Sequence, residues 1–275
     1  MGSGKGRQCI FCPNKADSQE HIWSQWILDL LPEGKDGVFV KRFPDGSEKS
    51  WPTPKPELTV GVVCERCNNG WMSAKLEGPM KEATANIIIH NNKKTFSGGE
   101  CDVVAAWAFK TMLLANHSNP HTEPIFSTEQ RRGFAHDLTI PKGVQIWTAK
   151  RNAGYLTARY TSELSIMQPA GEIAPHLKNL PVSPYRFQIY VCVFSIGYLL
   201  LQITAARWTE RKVANLLNFP PIIQGKAFDD YAIPIWPNLG NMIVDWPPRR
   251  SVGNDMFDSF CSRMDKFNLP QWMGA

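Results

Sequence analysis

The stretch "CERCNNGW", Cys64 to Trp71, holds two cysteines at a spacing of three, followed at once by an asparagine. A second pair with the same spacing, Cys9 and Cys12, lies near the start of the chain. Two thiolates at this spacing reach one metal from a tight turn, and four of them make a closed tetrahedral zinc site, which is structural and not catalytic. We therefore predict that these four residues hold one structural zinc, and we call them the cysteine clasp: Cys9, Cys12, Cys64 and Cys67. A redox pair, or four unrelated buried thiols, are the alternatives.

Composition narrows the class of protein without deciding it. The chain has 275 residues, seven cysteines and a formal net charge of +5. That charge is compatible with a polyanionic partner but does not establish one. The first residues, "MGSGKGRQCIF", lack the apolar core of a signal peptide, so the sequence predicts a cytoplasmic protein in which cysteines bind metal and do not form disulfides.

The order of apolar patterns predicts an α+β fold in two parts. Residues 1–96 contain both cysteine pairs and read as one zinc-stapled module. Within it, "VFVKRF" and "SEKSW" flank a D-G turn signal and predict a hairpin, and "LTVGVVC" predicts a strand leading into the second cysteine pair. A helix is predicted to begin around Asn68. Residues 97–275 predict a mixed, strand-rich C-terminal domain whose role the residues do not indicate.

Three patterns in the second part are strong enough to predict elements. Cys101 to His117 repeats apolar residues at helical spacing and predicts an amphipathic helix. Thr128 to Leu138 predicts a shorter helix, on which the arginines of "QRR" read as surface charge. The apolar run from Phe187 to Ile203 is broken at Ser195-Ile196-Gly197, so it predicts two buried strands and a tight turn instead of a membrane span.

Three polar residues lie close in sequence to the clasp or to strands leading from it. They are Glu20, His21 and Asn68. A carboxylate, an imidazole and an amide oxygen suit phosphodiester hydrolysis, which needs a base for water and a hard cation for the phosphate. Taken singly, each has an ordinary explanation: an acid favouring a helix dipole, a half-buried histidine and a helix N-cap.

The order C-x-x-C, acid-His, C-x-x-C-N resembles the HNH, or ββα-metal, endonuclease superfamily. The likeness is greatest to its zinc-stapled members, such as phage junction-resolving endonucleases. The strings "EHIW" and "VCERCNNGWMSAKLE" further resemble bacterial and phage proteins described only as HNH endonucleases. The resemblance covers roughly residues 8 to 80. Within that range the candidate residues follow one another in the same order as in the superfamily.

The resemblance implies a role for each matching residue. His21 would be the general base, while Glu20 and Asn68 would bind a single catalytic Mg²⁺ or Mn²⁺. The substrate would be DNA, cut to leave 5′-phosphate and 3′-hydroxyl ends. Glu20 is one methylene longer than the aspartate that the superfamily most often carries, and the segment between His21 and Cys64 is longer than its usual hairpin. A role in phage defence follows from the resemblance alone.

Three basic residues are candidates for contacting DNA phosphates. They are Arg66, inside the second cysteine pair, and Lys41 and Arg42, on the predicted hairpin; a solvated basic loop is the alternative. A zinc-stabilised nucleic-acid-binding module without catalysis is the alternative function. A homodimer or a protein partner held through the C-terminal domain is left open, and no membrane partner is expected.

Overall fold

The computed structural model describes most of the chain. The described residues are 7–30, 37–42, 48–53, 58–118, 124–152, 158–167, 187–207, 228–238 and 242–258. Only the backbone is described for residues 37–42, 48–53, 118, 158–167, 187–189, 206–207 and 228–229.

Helices and strands alternate irregularly along these residues. The helices are α1 (Gln25–Leu30), α2 (Glu65–Cys67), α3 (Gly78–His90), α4 (Gly98–Ser118), α5 (Thr128–Asp137) and α6 (Phe228–Tyr231), with a π-helical segment, Asn68–Glu77, joining α2 to α3. The strands are β1 (Ser18–His21), β2 (Gly37–Arg42), β3 (Glu48–Thr53), β4 (Thr59–Val63), β5 (Lys94–Phe96), β6 (Val144–Arg151), β7 (Ala158–Met167), β8 (Phe187–Ile196), β9 (Leu199–Arg207), β10 (Ala232–Trp236), β11 (Val244–Trp246) and β12 (Ser251–Val252). The predicted α+β class is confirmed.

The N-terminal part is a two-stranded sheet followed by a helix. β1 and β4 pair antiparallel, with His21 opposite Thr59. The chain passes from β4 through Cys64 into α2 and continues as helix to His90, with a kink at Gly70. β2 and β3 pair with each other as the predicted hairpin, whose turn lies outside the described residues. This arrangement brings the start of β1 beside the start of the long helical stretch, since Ser18 lies opposite Val63 at the end of β4.

The second part is built on an antiparallel sheet. Its strands follow the order β10-β6-β9-β8-β7, and β12 pairs parallel with β6. The predicted pair of buried strands is confirmed as β8 and β9, which are joined at Gly197 with φ 53°. That left-handed conformation suits a residue without a Cβ, so glycine permits the tight turn that the sequence indicated.

Helix α4 is the centre of a core that both parts share. It contacts β4 and the π-helical segment on the module side, and β9 and β10 on the sheet side. Residues from Val104 to Ala115 are all buried, so the predicted helix is confirmed but its predicted single apolar face is wrong. The reason is that the helix is covered from two sides. The boundary between residues 96 and 97 stays a prediction, and the parts on either side of it share this core.

Aromatic side chains join the module to the sheet. Trp23, next to α1, meets Phe194 of β8 edge-on with ring centroids 5.6 Å apart. Trp107 of α4 meets the same ring at 6.2 Å. Each fully buried side chain of this size stabilises the fold by about 1.5–3 kcal/mol. None of the helices described is long and apolar enough to cross a membrane.

Candidate metal centre and the residues around it

The four sulfurs of the cysteine clasp come together. Their Sγ atoms all lie within 4.8 Å of one another, and those of Cys12 and Cys64 are 3.4 Å apart. With Zn–S bonds of about 2.3 Å, a tetrahedral site has sulfur–sulfur edges of about 3.8 Å, so the spacing fits a single zinc. The clasp can therefore bind a metal, as the sequence predicted.

Each half of the clasp is a tight turn closed by backbone hydrogen bonds. The amide of Cys9 donates to the carbonyl of Asn14 at 2.8 Å, and the amides of Cys67 and Asn68 both donate to the carbonyl of Cys64 at 3.0 Å. The first half is tied to the sheet because the amide of Ile10 donates to Val62 of β4 at 3.0 Å. These bonds shape the two turns that bring the four sulfurs together.

The negative charge that the four thiols carry when ionised explains why they would need a bound metal. Burial raises the pKa of the Cys9 and Cys67 thiols. Burial also acts on Cys64, but hydrogen bonds from the Cys67 amide and from neighbouring thiols outweigh it and lower the pKa of that thiol. Four thiolates at this separation would repel one another strongly in a buried site, and a bound divalent cation removes that cost. The donor set therefore fits zinc in both geometry and chemistry.

Arg131 supports the first half of the clasp, which the sequence did not reveal. Its Nε donates to the carbonyl of Ile10 at 3.2 Å, and its Nη atoms donate to Phe126 and Thr128. The residue is only 9% exposed, so the expectation of surface charge is wrong. The one available signal was its spacing from Phe134 on the same helix, which places both residues on one face.

We expect Arg131→Leu to lower the free energy of unfolding by about 2–4 kcal/mol, because it leaves buried carbonyls without donors. Urea denaturation of the zinc-loaded protein measures this. Arg132→Leu is the matched control, since Arg132 is the next residue of α5 and is only half-buried; it should change stability by less than about 1 kcal/mol. Equal losses in the two variants would contradict the role given to Arg131.

Glu20 lies on β1 and is almost fully buried. It is 7% exposed, and its Oε1 lies 3.5 Å from Nζ of Lys110 on α4. Burial raises the pKa of the Glu20 carboxyl; the nearby ammonium offsets this only in part. A buried carboxylate with a single partner is a costly arrangement, and a second cation would relieve it.

A second carboxylate shares the same lysine. Oε1 of Glu77 lies 2.6 Å from Nζ of Lys110, and its Oε2 accepts hydrogen bonds from the indoles of Trp26 at 3.0 Å and Trp107 at 3.1 Å. Burial opposes its ionisation, but Lys110 outweighs that and lowers the pKa of Glu77. The two carboxylates likewise raise the pKa of the fully buried Lys110 against the effect of burial. We call Lys110, Glu20 and Glu77 the buried charge cluster.

Asn68 is held against the strand that carries Glu20. Its Nδ2 donates to Oγ of Ser18 at 2.8 Å. Ser18 precedes Glu20 by two positions on β1, and the pairing with β4 is irregular between these two residues. Because Nδ2 is used in this bond, Oδ1 is the atom that Asn68 could offer to a hard cation.

His21 follows Glu20 at the end of β1 and is half-buried. Its position opposite Thr59 puts it in the same two-stranded sheet that leads to Asn68. β1 thus carries Glu20 and His21 towards its end, and the bond from Asn68 reaches the same strand at its start, Ser18. The catalytic and metal-binding roles of the three candidate residues stay predictions.

Of the three basic candidates, only Arg66 has a described side chain. Arg66 lies exposed on α2, between the two cysteines of the second pair. Lys41 and Arg42 lie on β2, opposite Lys49 and Glu48 of β3, and their side chains lie outside the described residues. Contact with nucleic acid stays a prediction for all three.

Comparison of the chain with models of protein families, with curated proteins and with solved structures found no match in any of the three. What is established of the site is therefore its own geometry: a four-cysteine cluster able to bind a metal, at the edge of an α+β fold.

Proposed function

We propose that the protein is a metal-dependent DNA endonuclease of the HNH type. One observation carries the proposal: the strand bearing Glu20 and His21 pairs with β4, and β4 leads through the second cysteine pair into the helical stretch that contains Asn68. This order of strand, strand, cysteine turn and helix supports the proposal because it is the order that the resemblance to the superfamily implies.

In the proposed reaction, His21 takes the proton of a water molecule as that water attacks the phosphorus atom. The bond from phosphorus to the 3′-oxygen breaks, which leaves a 5′-phosphate and, after protonation from solvent, a 3′-hydroxyl. Glu20 and Asn68 would hold one Mg²⁺ or Mn²⁺, which supplies charge stabilisation for the phosphate and the leaving oxygen when bound. Neutral imidazole is an effective base near pH 7 because its ordinary pKa lies close to that value.

In this proposal the role of the cysteine clasp is structural and not catalytic. Four thiolates fill the coordination sphere of zinc, so no position is left for water or substrate. Its contribution is to fix Cys67 and, with it, the backbone of Asn68 relative to β1. Arg66, exposed beside the same turn, would contact a phosphate.

A second candidate is a zinc-stabilised nucleic-acid-binding module without catalysis. The observation that favours it is that one oxygen of Glu20 already faces Lys110 at 3.5 Å. A carboxylate fully committed to a lysine could not bind a catalytic cation. In that case nucleic acid would be bound and never cut.

We expect the purified protein to nick or cut DNA with Mg²⁺ or Mn²⁺ and to lose this activity in EDTA, at concentrations that leave the zinc in place. Plasmid, single-stranded and branched DNA should each be tested, and the ends should be mapped as 5′-phosphate and 3′-hydroxyl. Zinc content before and after EDTA is the control. Binding to any of these DNAs without cleavage in either metal would favour the second candidate.

A further inference from the structure

Lys110 belongs to helix α4, outside residues 1–96, yet its ammonium lies between two acids of the N-terminal module. It is 0% exposed, 2.6 Å from Glu77 and 3.5 Å from Glu20. A buried ammonium persists only when its charge and donors are satisfied, and here the module supplies both counter-charges. The cluster thus links the second part of the chain to the strand that carries the candidate site.

The two acids are held differently. Both oxygens of Glu77 are occupied, Oε1 by Lys110 and Oε2 by the indoles of Trp26 and Trp107. Among the described residues, the only hydrogen bond to the Glu20 carboxylate is from Lys110 to Oε1. Glu77 is therefore the fixed partner that anchors the ammonium. The Glu20 carboxylate is bonded through one oxygen, which leaves its second oxygen available to a ligand.

The net charge of the buried charge cluster distinguishes Glu20 from Glu77 in the same way. One ammonium and two carboxylates leave the buried cluster with an excess of one negative charge when all three are ionised. The close Lys110–Glu77 pair is neutral, so the excess belongs to Glu20. A hard divalent cation at the second oxygen of Glu20 would compensate it, and carboxylate ligands of metals are in turn held by hydrogen bonds from a surrounding shell.

We propose that Lys110, anchored on Glu77, is a positioning residue of the nuclease site that holds Glu20 by one oxygen and leaves the other for the divalent cation. This inference rests on the proposed function. It makes helix α4 part of the site, because no other described residue bonds the Glu20 carboxylate. The module of residues 1–96 lacks this support when taken alone.

The test separates positioning from simple charge. Removing a positive charge beside a cation site should tighten cation binding if charge alone matters, whereas loss of positioning weakens it. The variants are Lys110→Met and the charge-balanced Lys110→Met/Glu77→Gln. The second replaces a buried ion pair by neutral groups, a change that folded proteins often tolerate.

Mn²⁺ binding to the zinc-loaded full chain is measured by the electron paramagnetic resonance signal of free Mn²⁺, after thermal unfolding has shown which variants fold. We expect the dissociation constant for Mn²⁺ to rise about 10- to 100-fold in either folded variant. Lys94→Met is the control, since Lys94 bonds Glu100 and Ala83 away from the site, and its affinity should match that of the wild type.

A folded Lys110 variant that binds Mn²⁺ as tightly as the wild type, or more tightly, overturns the positioning role of Lys110 and leaves the proposed function standing. Glu20→Gln identifies the site: if the wild type binds Mn²⁺ no better than this variant, the proposed metal site fails and the inference fails with it. If Mn²⁺ binds through Glu20 and no DNA is cut, the endonuclease function fails while the positioning role of Lys110 stands.

Discussion

Replacing His21 with alanine is expected to lower the rate of DNA cleavage by roughly 10²- to 10⁴-fold, the usual contribution of a general base. The expected cause is loss of the group that takes the proton from the attacking water, because His21 lies beside Glu20 at the end of β1. Single-turnover nicking of supercoiled plasmid with saturating Mg²⁺ measures the chemical step. Binding of the same DNA should change little, since the imidazole acts on water and not on the phosphate backbone.

The matched control is His90→Ala. His90 is exposed at the last turn of α3, so its removal should leave both folding and cleavage unchanged. Mn²⁺ affinity provides a second check, because Glu20 and Asn68 are the proposed ligands and His21 is not. Cleavage by His21→Ala at the wild-type rate would rule out the general-base role, and a fall in DNA affinity equal to the fall in rate would assign His21 to DNA binding instead of the chemical step.

Local patterns were enough to predict the elements that build the candidate site. The alternation in "LTVGVVC" predicted β4, the D-G signal predicted the β2–β3 hairpin, and the helical spacing after Cys101 predicted α4. The repeated spacing of cysteines predicted a cluster, and the four sulfurs lie within 4.8 Å of one another. These features depend on contacts between residues close in sequence, or on the fixed stereochemistry of a metal site. Both kinds of signal can be recognised in a single sequence.

The supporting residues could not be predicted because their partners are distant in sequence. Lys110 lies 90 residues from Glu20, and Arg131 lies 121 residues from Ile10. On a helix, a lysine or arginine is usually assigned to the solvated face, and only tertiary packing reveals that α4 is covered from two sides. Glu77 is the same case: nothing near it in the sequence indicates that both its oxygens are bonded to Lys110, Trp26 and Trp107.

Loss of zinc is expected to unfold the N-terminal module. Structural zinc contributes about 10–16 kcal/mol to the folding of zinc-finger peptides, more than the whole stability of most domains. Besides the metal, the first cysteine pair is attached by the backbone bond from Ile10 to Val62, the bonds from Arg131 and the burial of Ile10 and Phe11, where Phe11 meets Trp71 edge-on at 5.2 Å. Without the metal, the three buried thiols and the half-buried Cys12 would lie together with only weak hydrogen bonds to sulfur.

We therefore expect Cys64→Ser/Cys67→Ser to reduce zinc from one atom per chain to a small fraction and to abolish the cooperative unfolding transition of the module. Elemental analysis and thermal unfolding followed by tryptophan fluorescence measure the two effects, because Trp23 and Trp71 lie in or beside the module core. Cys101→Ala is the matched control. Cys101 is also buried, but it lies outside the clasp, so its replacement should cost about 1–2 kcal/mol and leave the zinc content unchanged.

The same double variant tests how the clasp acts on function. Asn68 follows Cys67 directly, and its side chain bonds Ser18 on the strand of Glu20. If zinc holds this helix start against β1, cleavage should be lost together with zinc, although no zinc ligand contacts DNA or takes part in the reaction. Full zinc content and an unchanged melting temperature in Cys64→Ser/Cys67→Ser would mean that the sulfurs are unrelated buried thiols. Cleavage that persists after the zinc is gone would instead separate the clasp from the positioning of Asn68.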